Sequence, residues 1–139
     1  MYELPQDIGN FAQEIRSSLN NDRFYQMKAK NWGKDFNGDI LVHVEADDQF
    51  SEDIYILLKL AEGNCSGVEA GFKPPEEDPG FVYRGKYTDW KELISGDRRL
   101  SLADGTFEVE GDLETFVEYA HANYKIVSTA QQIPAKFTE

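Results

Sequence analysis

Cysteine is almost missing: Cys65 stands alone in 139 residues. No intrachain disulfide can form, and a reducing cytoplasm is the simplest home. Histidine is scarce as well, and neither His43 nor His121 has Cys, Asp or Glu at ligand spacing, so neither a metal nor another cofactor is expected. Basic side chains are outnumbered, 14 against 26 acidic, for a formal net charge of -12. Such a surface repels phosphate backbones and anionic headgroups, and no basic run offsets it. Nucleic acid is therefore not an expected partner, and stable insertion into a membrane is disfavoured. Long apolar runs are lacking too: nothing approaches the roughly 20 residues of a membrane span. The first residues carry no positively charged, greasy signal, which agrees with a cytoplasmic location. No glycine-rich run leads from a strand into a helix followed by Lys and Ser/Thr, so a phosphate loop is excluded. Cys65 lies in a Gly/Asn/Ser turn without a partnered base, and Asp47-Asp48 and Glu76-Glu77 read as solvated loop charges rather than an acid/base pair.

What remains is apolar. The chain is 40% hydrophobic and 13% aromatic, ample for a core in one domain spanning residues 1–139. The excess of acid is read as a means of keeping copies apart in solution.

Periodicity divides the chain into elements. Ile8, Phe11, Ala12, Ile15 and Leu19 recur at three- and four-residue steps, which predicts a helix beginning near Pro5. Phe24, Tyr25 and Met27 suit a second turn or two after Asn20-Asn21-Asp22. From Asp39 the period falls to two: Ile40, Val42 and Val44 predict a half-buried strand. Ile54, Ile56, Leu58 and Leu60 repeat the pattern, with Tyr55 and Leu57 apolar on the other side, as in a strand covered on both faces. A third run lies around Val68 to Phe72, completing an antiparallel meander. The segment from Pro74 to Gly80 cannot continue a strand and is expected to be an acidic hairpin loop. Phe81, Tyr83, Gly85 and Tyr87 form a fourth strand.

The stretch from Tyr87 to Leu113 is the densest. Thr88 or Asp89 can cap a short helix carrying Trp90, Leu93 and Ile94, with Gly96 ending it. Leu100 and Leu102 fit another short helix. Phe107 and Val109 alternate with Glu108 and Glu110 in a fifth strand, and Gly111-Asp112 opens a last helix with the face Leu113, Phe116, Val117, Ala120, Tyr124 and Val127. The weakly periodic Ser128 to Glu139, with Ile133, Pro134 and Phe137, either covers an opening or frays. The order of elements predicts an α+β fold: a five-stranded antiparallel-rich sheet with helices on one face, enclosing an apolar cavity.

Packed apolar residues without attendant chemistry point to binding of a hydrophobic small molecule rather than to catalysis. The ligand-binding candidates are Trp90, Leu93, Ile94, Leu100, Leu102, Phe107, Val109, Phe116, Val117, Ala120 and Tyr124. For each of them singly, a place in an ordinary core is the competing reading. The other functional reading is an accessory or dimerisation module that holds a partner protein or a lipid intermediate, with a homodimer left open.

Tyr87, Asp89, Trp90, Leu93, Ile94, Gly96, Ala103, Gly105, Phe107, Val109, Gly111 and Asp112 fall in an order that resembles the sterol carrier protein type two family. The resemblance implies a five-stranded sheet and helices around an apolar tunnel. It also implies non-covalent binding of fatty acids, acyl-CoA, sterols or similar lipids such as isoprenoids, with no catalysis and no metal. Two departures stand out. Asp97-Arg98-Arg99 replaces the family's aspartate-proline type of turn, and the acidic balance differs from that of basic carriers. Arg98 and Arg99 are the local candidates for an anionic head group, while the overall charge opposes the phosphates of coenzyme A.

Overall fold

The structure, a computed structural model, describes residues 1–98 and 105–138. Arg99, Leu100 and Leu102 therefore lie outside the described residues.

The chain opens with a short strand, β1 (Tyr2–Leu4), followed by α1 (Ile8–Asn20) and α2 (Arg23–Lys28). The expected apolar stripe of α1 is the face that is buried: Ile8, Phe11, Ala12, Ile15 and Leu19. Spacing of three and four places these side chains on one side of the helix. Asp22 starts α2 by accepting from the Tyr25 N–H at 2.9 Å, which satisfies one of the donors that a helix start leaves unpaired.

Four strands follow, β2 (Ile40–Glu45), β3 (Ile54–Ala61), β4 (Asn64–Gly71) and β5 (Phe81–Lys86). After α3 (Tyr87–Ile94) come β6 (Glu108–Glu110), α4 (Leu113–Glu118), α5 (Ala120–Gln132) and β7 (Ala135–Phe137). The main sheet has the order β4-β3-β2-β5-β6. The pairings β2–β3, β3–β4 and β5–β6 are antiparallel, and β2–β5 is parallel. The fold is thus α+β with a mixed, mostly antiparallel sheet, and α1, α3 and α5 lie on its inner face, which carries Val42, Ile56 and Tyr83.

The expected meander is corrected at β5. Instead of turning back beside β4 through a hairpin, residues 72–80 cross to the far side of β2 and deliver β5 parallel to it. Lys59 on the outer face of β3 holds Glu77 of this crossover at 2.8 Å, and Asn37 Nδ2 donates to the Asp78 carbonyl at 3.0 Å. Inner positions Ile40, Ile54, Ile56, Leu58 and Leu60 are buried, and on the other face Leu57 is fully buried too. β3 is therefore covered on both sides, as its continuous apolar run suggested.

A second correction concerns the last helix. It is broken at Tyr119, which closes α4 and opens α5 with φ -104° and ψ 30°. The break is stabilised from inside: the Asn123 side chain donates to the Phe116 carbonyl at 3.1 Å, taking over an acceptor at the end of α4. The C-terminal segment is also tied down. β7 pairs parallel with β1, Leu4 opposite Phe137, and Thr138 N–H donates to the Leu4 carbonyl at 2.9 Å.

Candidate functional site

An apolar pocket lies between the inner face of the sheet and the helices, with a volume of about 60 Å3. Its floor is Val42, Val44, Ile56, Leu58 and Tyr83 from three adjacent strands. Phe11 and Ile15 of α1 close one side, and Ile126, Val127 and Ala130 of α5 another. Trp90, Leu93 and Ile94 of α3, with Phe107 and Val109, complete the wall.

The buried side chains around the pocket form two groups. The main core takes in α1, the strands, Trp90, Ile94 and Ile126, whereas Leu93, Phe107 and Val127 form a separate small cluster. The pocket is lined from both, so it marks the seam between them. Gly85 permits this arrangement. A Cβ there would meet Phe107 Cδ1 at 2.6 Å, so the missing side chain leaves β5 bare where the ring lies.

The wall element α3 is anchored from elsewhere in the chain. Its first turn is not capped by Thr88 or Asp89, because the helix begins one residue earlier, at Tyr87, with Lys86 as the capping residue. Asp47 supplies the acceptor instead: its Oδ2 receives the Thr88 N–H at 2.8 Å and the Thr88 hydroxyl at 2.7 Å. Burial would raise the Asp47 carboxyl, but the hydrogen bonds from Thr88, Gln49 and Phe50 outweigh it and hold the group below its ordinary value. Phe50, from the same turn, stacks on Tyr87 with centroids 5.1 Å apart. At the other end, Gly96 takes φ +83°, and the N–H groups of Gly96 and Asp97 donate to the Leu93 and Glu92 carbonyls. That is the glycine-terminated helix end expected from sequence. Phe137 then packs edge-on against Trp90 at 5.5 Å, so the C-terminal strand backs the wall.

Of the sequence candidates, the structure brings Trp90, Leu93, Ile94, Phe107 and Val109 together around the pocket. Phe116 is buried but sits beside it, its ring edge-on to Tyr83 at 5.5 Å. Val117 and Tyr124 are corrected: they are 60% and 59% exposed, and Ala120 is exposed as well. In α5 the inward positions are Ile126 and Ala130 together with Val127, which the expected face did include. Val42, Val44, Ile56, Leu58, Phe11 and Ile15 were visible as core positions, but nothing in their spacing told core from pocket floor. Arg98 is engaged by acidic neighbours, with Glu92 Oε2 at 2.8 Å and Asp89 Oδ1 at 3.5 Å.

The other chemistry-bearing groups are turned elsewhere. His43 lies on the outer sheet face, 2.9 Å from Asp53 and stacked on Tyr55. Cys65 is buried, and burial pushes its thiol up, away from the reactive thiolate. Among the described residues, no group of three His, Cys, Asp or Glu gathers to hold a metal, and no helix is long and apolar enough to cross a membrane.

No protein-family model matches the sequence, and no curated protein sequence matches it. Solved structures do. A crystal structure of sterol carrier protein 2 superposes with a TM-score of 0.78 at 25% identity, over 90% of this chain and 96% of that one. The chain folds as a sterol carrier protein 2-like domain. A solution structure of a conserved protein from Thermus thermophilus agrees, with a TM-score of 0.75 and 23% identity over 91% of this chain and 88% of that one. The apo form of sterol carrier protein 2 from Yarrowia lipolytica shares the fold more distantly, at a TM-score of 0.54 and 20% identity over 87% and 89%. The sterol carrier protein 2-like arrangement thus covers most of the chain.

Proposed function

We propose that this domain binds and carries a hydrophobic small molecule without transforming it. The observation that carries the reading is the apolar seam. A pocket walled by Trp90, Leu93, Ile94, Phe107 and Val109 lies between the main core and a separate cluster of Leu93, Phe107 and Val127. The likeness to sterol carrier protein 2 supports the same class of ligand.

The pocket's volume also constrains how binding happens. Sites for small molecules run to about 300–1,000 Å3, against about 60 Å3 here. A lipid chain enters only if the seam widens, and the small cluster is the part that yields at least cost to the main core. α3 and Phe107 move away from β5 as the ligand takes their place against the strands. Arg98 contributes little to head-group capture, because a phosphate would have to displace both Glu92 and Asp89. The ligand classes this leaves are fatty acyl, sterol-like and isoprenoid lipids, with coenzyme A thioesters disfavoured by their phosphates.

Native mass spectrometry of the purified chain, followed by titration of the delipidated protein with diphenylhexatriene, tests the reading. A co-purifying lipid mass or saturable fluorescence enhancement is expected. The absence of both a lipid mass and saturable binding would overturn it.

A further inference from the structure

Polar side chains buried in this core have partners. Trp32 Nε1 donates to the Gly38 carbonyl at 2.8 Å, and Asn123 Nδ2 donates to the Phe116 carbonyl. Among the described residues, the Tyr83 hydroxyl is the one buried side-chain polar atom left without a hydrogen-bond partner. Tyr83 lines the apolar pocket. Its strand neighbours at the same level are Val42 and Val109, and its ring packs edge-on to Phe116, none of which offers a hydrogen-bonding side chain; Tyr25 lies nearby but makes no hydrogen bond with it. Phenylalanine would fill the same space without leaving a donor stranded, and a stranded buried hydroxyl destabilises the state that contains it. A polar atom brought in by a ligand would satisfy it.

We infer that the Tyr83 hydroxyl is the polar anchor of the bound ligand and that the pocket selects hydrophobic molecules ending in a neutral oxygen, a hydroxyl or a carbonyl, over those ending in a carboxylate. The inference rests on the carrier reading above. Burial, with Tyr25 nearby, keeps the hydroxyl protonated far above neutral pH, so it offers one O–H donor and lone-pair acceptors. One neutral oxygen satisfies it. A carboxylate brought to the same depth would need a cation, since burying an unpaired charge is far more costly than burying a paired dipole. The lining supplies none. Its titratable members, His43 and Glu108, project to the outer face of the sheet, where His43 meets Asp53 at 2.9 Å and Glu108 lies 4.0 Å from Arg84.

Displacement of diphenylhexatriene by three C16 molecules, from wild type and Tyr83→Phe, tests this. The three are 1-hexadecanol, 1-bromohexadecane and palmitate at pH 8. Wild type is expected to bind hexadecanol most tightly. Tyr83→Phe is expected to lose about fivefold for hexadecanol, the weight of one neutral hydrogen bond, with no change for the bromide. Its melting temperature without ligand should equal or exceed that of wild type, because an unpaired hydroxyl has been removed. An unchanged ratio of alcohol to bromide, palmitate binding more tightly than hexadecanol, or a lower melting temperature for the variant would each overturn the inference. Diphenylhexatriene that fails to bind wild type overturns the carrier reading and the inference together, whereas probe binding without end-group discrimination overturns the inference alone.

Discussion

At position 85 the pocket is shaped by an atom that is missing. Gly85 stands on the inner face of β5, and a methyl group there would lie 2.6 Å from one ring carbon of Phe107 and 2.8 Å from the next. Phe107 is buried against Leu93 and Val127, so its ring retreats only by parting that cluster. Gly85→Ala is expected to cost about 1–3 kcal/mol, the range for overpacking a filled site, read from the urea midpoint. In the background of Phe107→Ala the same change should cost far less, because the obstructing ring is gone; costs that simply add would show that the two positions do not compete for one space. How much of the site was legible follows from the same residues. Trp90, Leu93, Ile94, Phe107 and Val109 were readable because apolar spacing in a short segment marks an inward face. Gly85 was not, since its role depends on a ring far away in sequence. Val117 and Tyr124 misled because apolar side chains at helical spacing were assigned to one inward face, whereas α4 buries Phe116 and leaves Val117 exposed, and α5 turns Ile126, Val127 and Ala130 inward instead of Tyr124.

α3 is the element on which the wall depends, and a single carboxylate from another loop starts it. Asp47 accepts two hydrogen bonds from Thr88, and its carboxyl is held below the ordinary 3.8. A group with a lowered folded-state pKa contributes stability that is complete above the unfolded value and disappears as pH falls through the folded value. Asp47→Asn is therefore expected to cost about 1.5–3 kcal/mol at pH 7, the range for hydrogen bonds to a charged acceptor. That gap should close as pH drops from about 4 toward 2, where wild type loses the same charge. Urea midpoints for both proteins across this range give the measurement, and a gap that stays constant down to pH 2 would remove the carboxylate from the account. The α1 stripe, strands β2, β3 and β5, and the Gly96 stop were all evident in the sequence, being local patterns of period 3.6 or 2 or a fixed turn requirement. The parallel pairing of β2 with β5 was not, because alternation tells which face a residue takes but not which strand lies beside it. β1 and β7 escaped for a different reason: three residues each are too few to show a period, and the strand partner of each is the other, at the far end of the chain.

The whole molecule carries a formal charge of -12, and some of its cations are held by carboxylates at short range. Arg84 pairs with Glu110, Lys125 with Asp22, and Arg98 with Glu92 and Asp89. The net field around the molecule is negative. A folded chain of this length has a radius of gyration of about 14 Å. At about 0.01 M salt the screening length, about 30 Å, exceeds that radius, so the full charge acts on an incoming anion; at about 0.15 M it falls to about 8 Å and only nearby charges count. Palmitoyl-CoA, whose head carries several negative charges, should then displace diphenylhexatriene much less effectively than methyl palmitate at low salt, and the difference should narrow as salt is added. The sign decides the matter. A site that captured phosphates through Arg98 and Arg99 would show the reverse, with thioester affinity falling as salt rises, as it does wherever cations neutralise phosphates. A fall would reinstate the basic pair as a head-group site and overturn the preference for uncharged ligands; a rise would mean that the acidic surface filters ligands by charge before the pocket sorts them by shape.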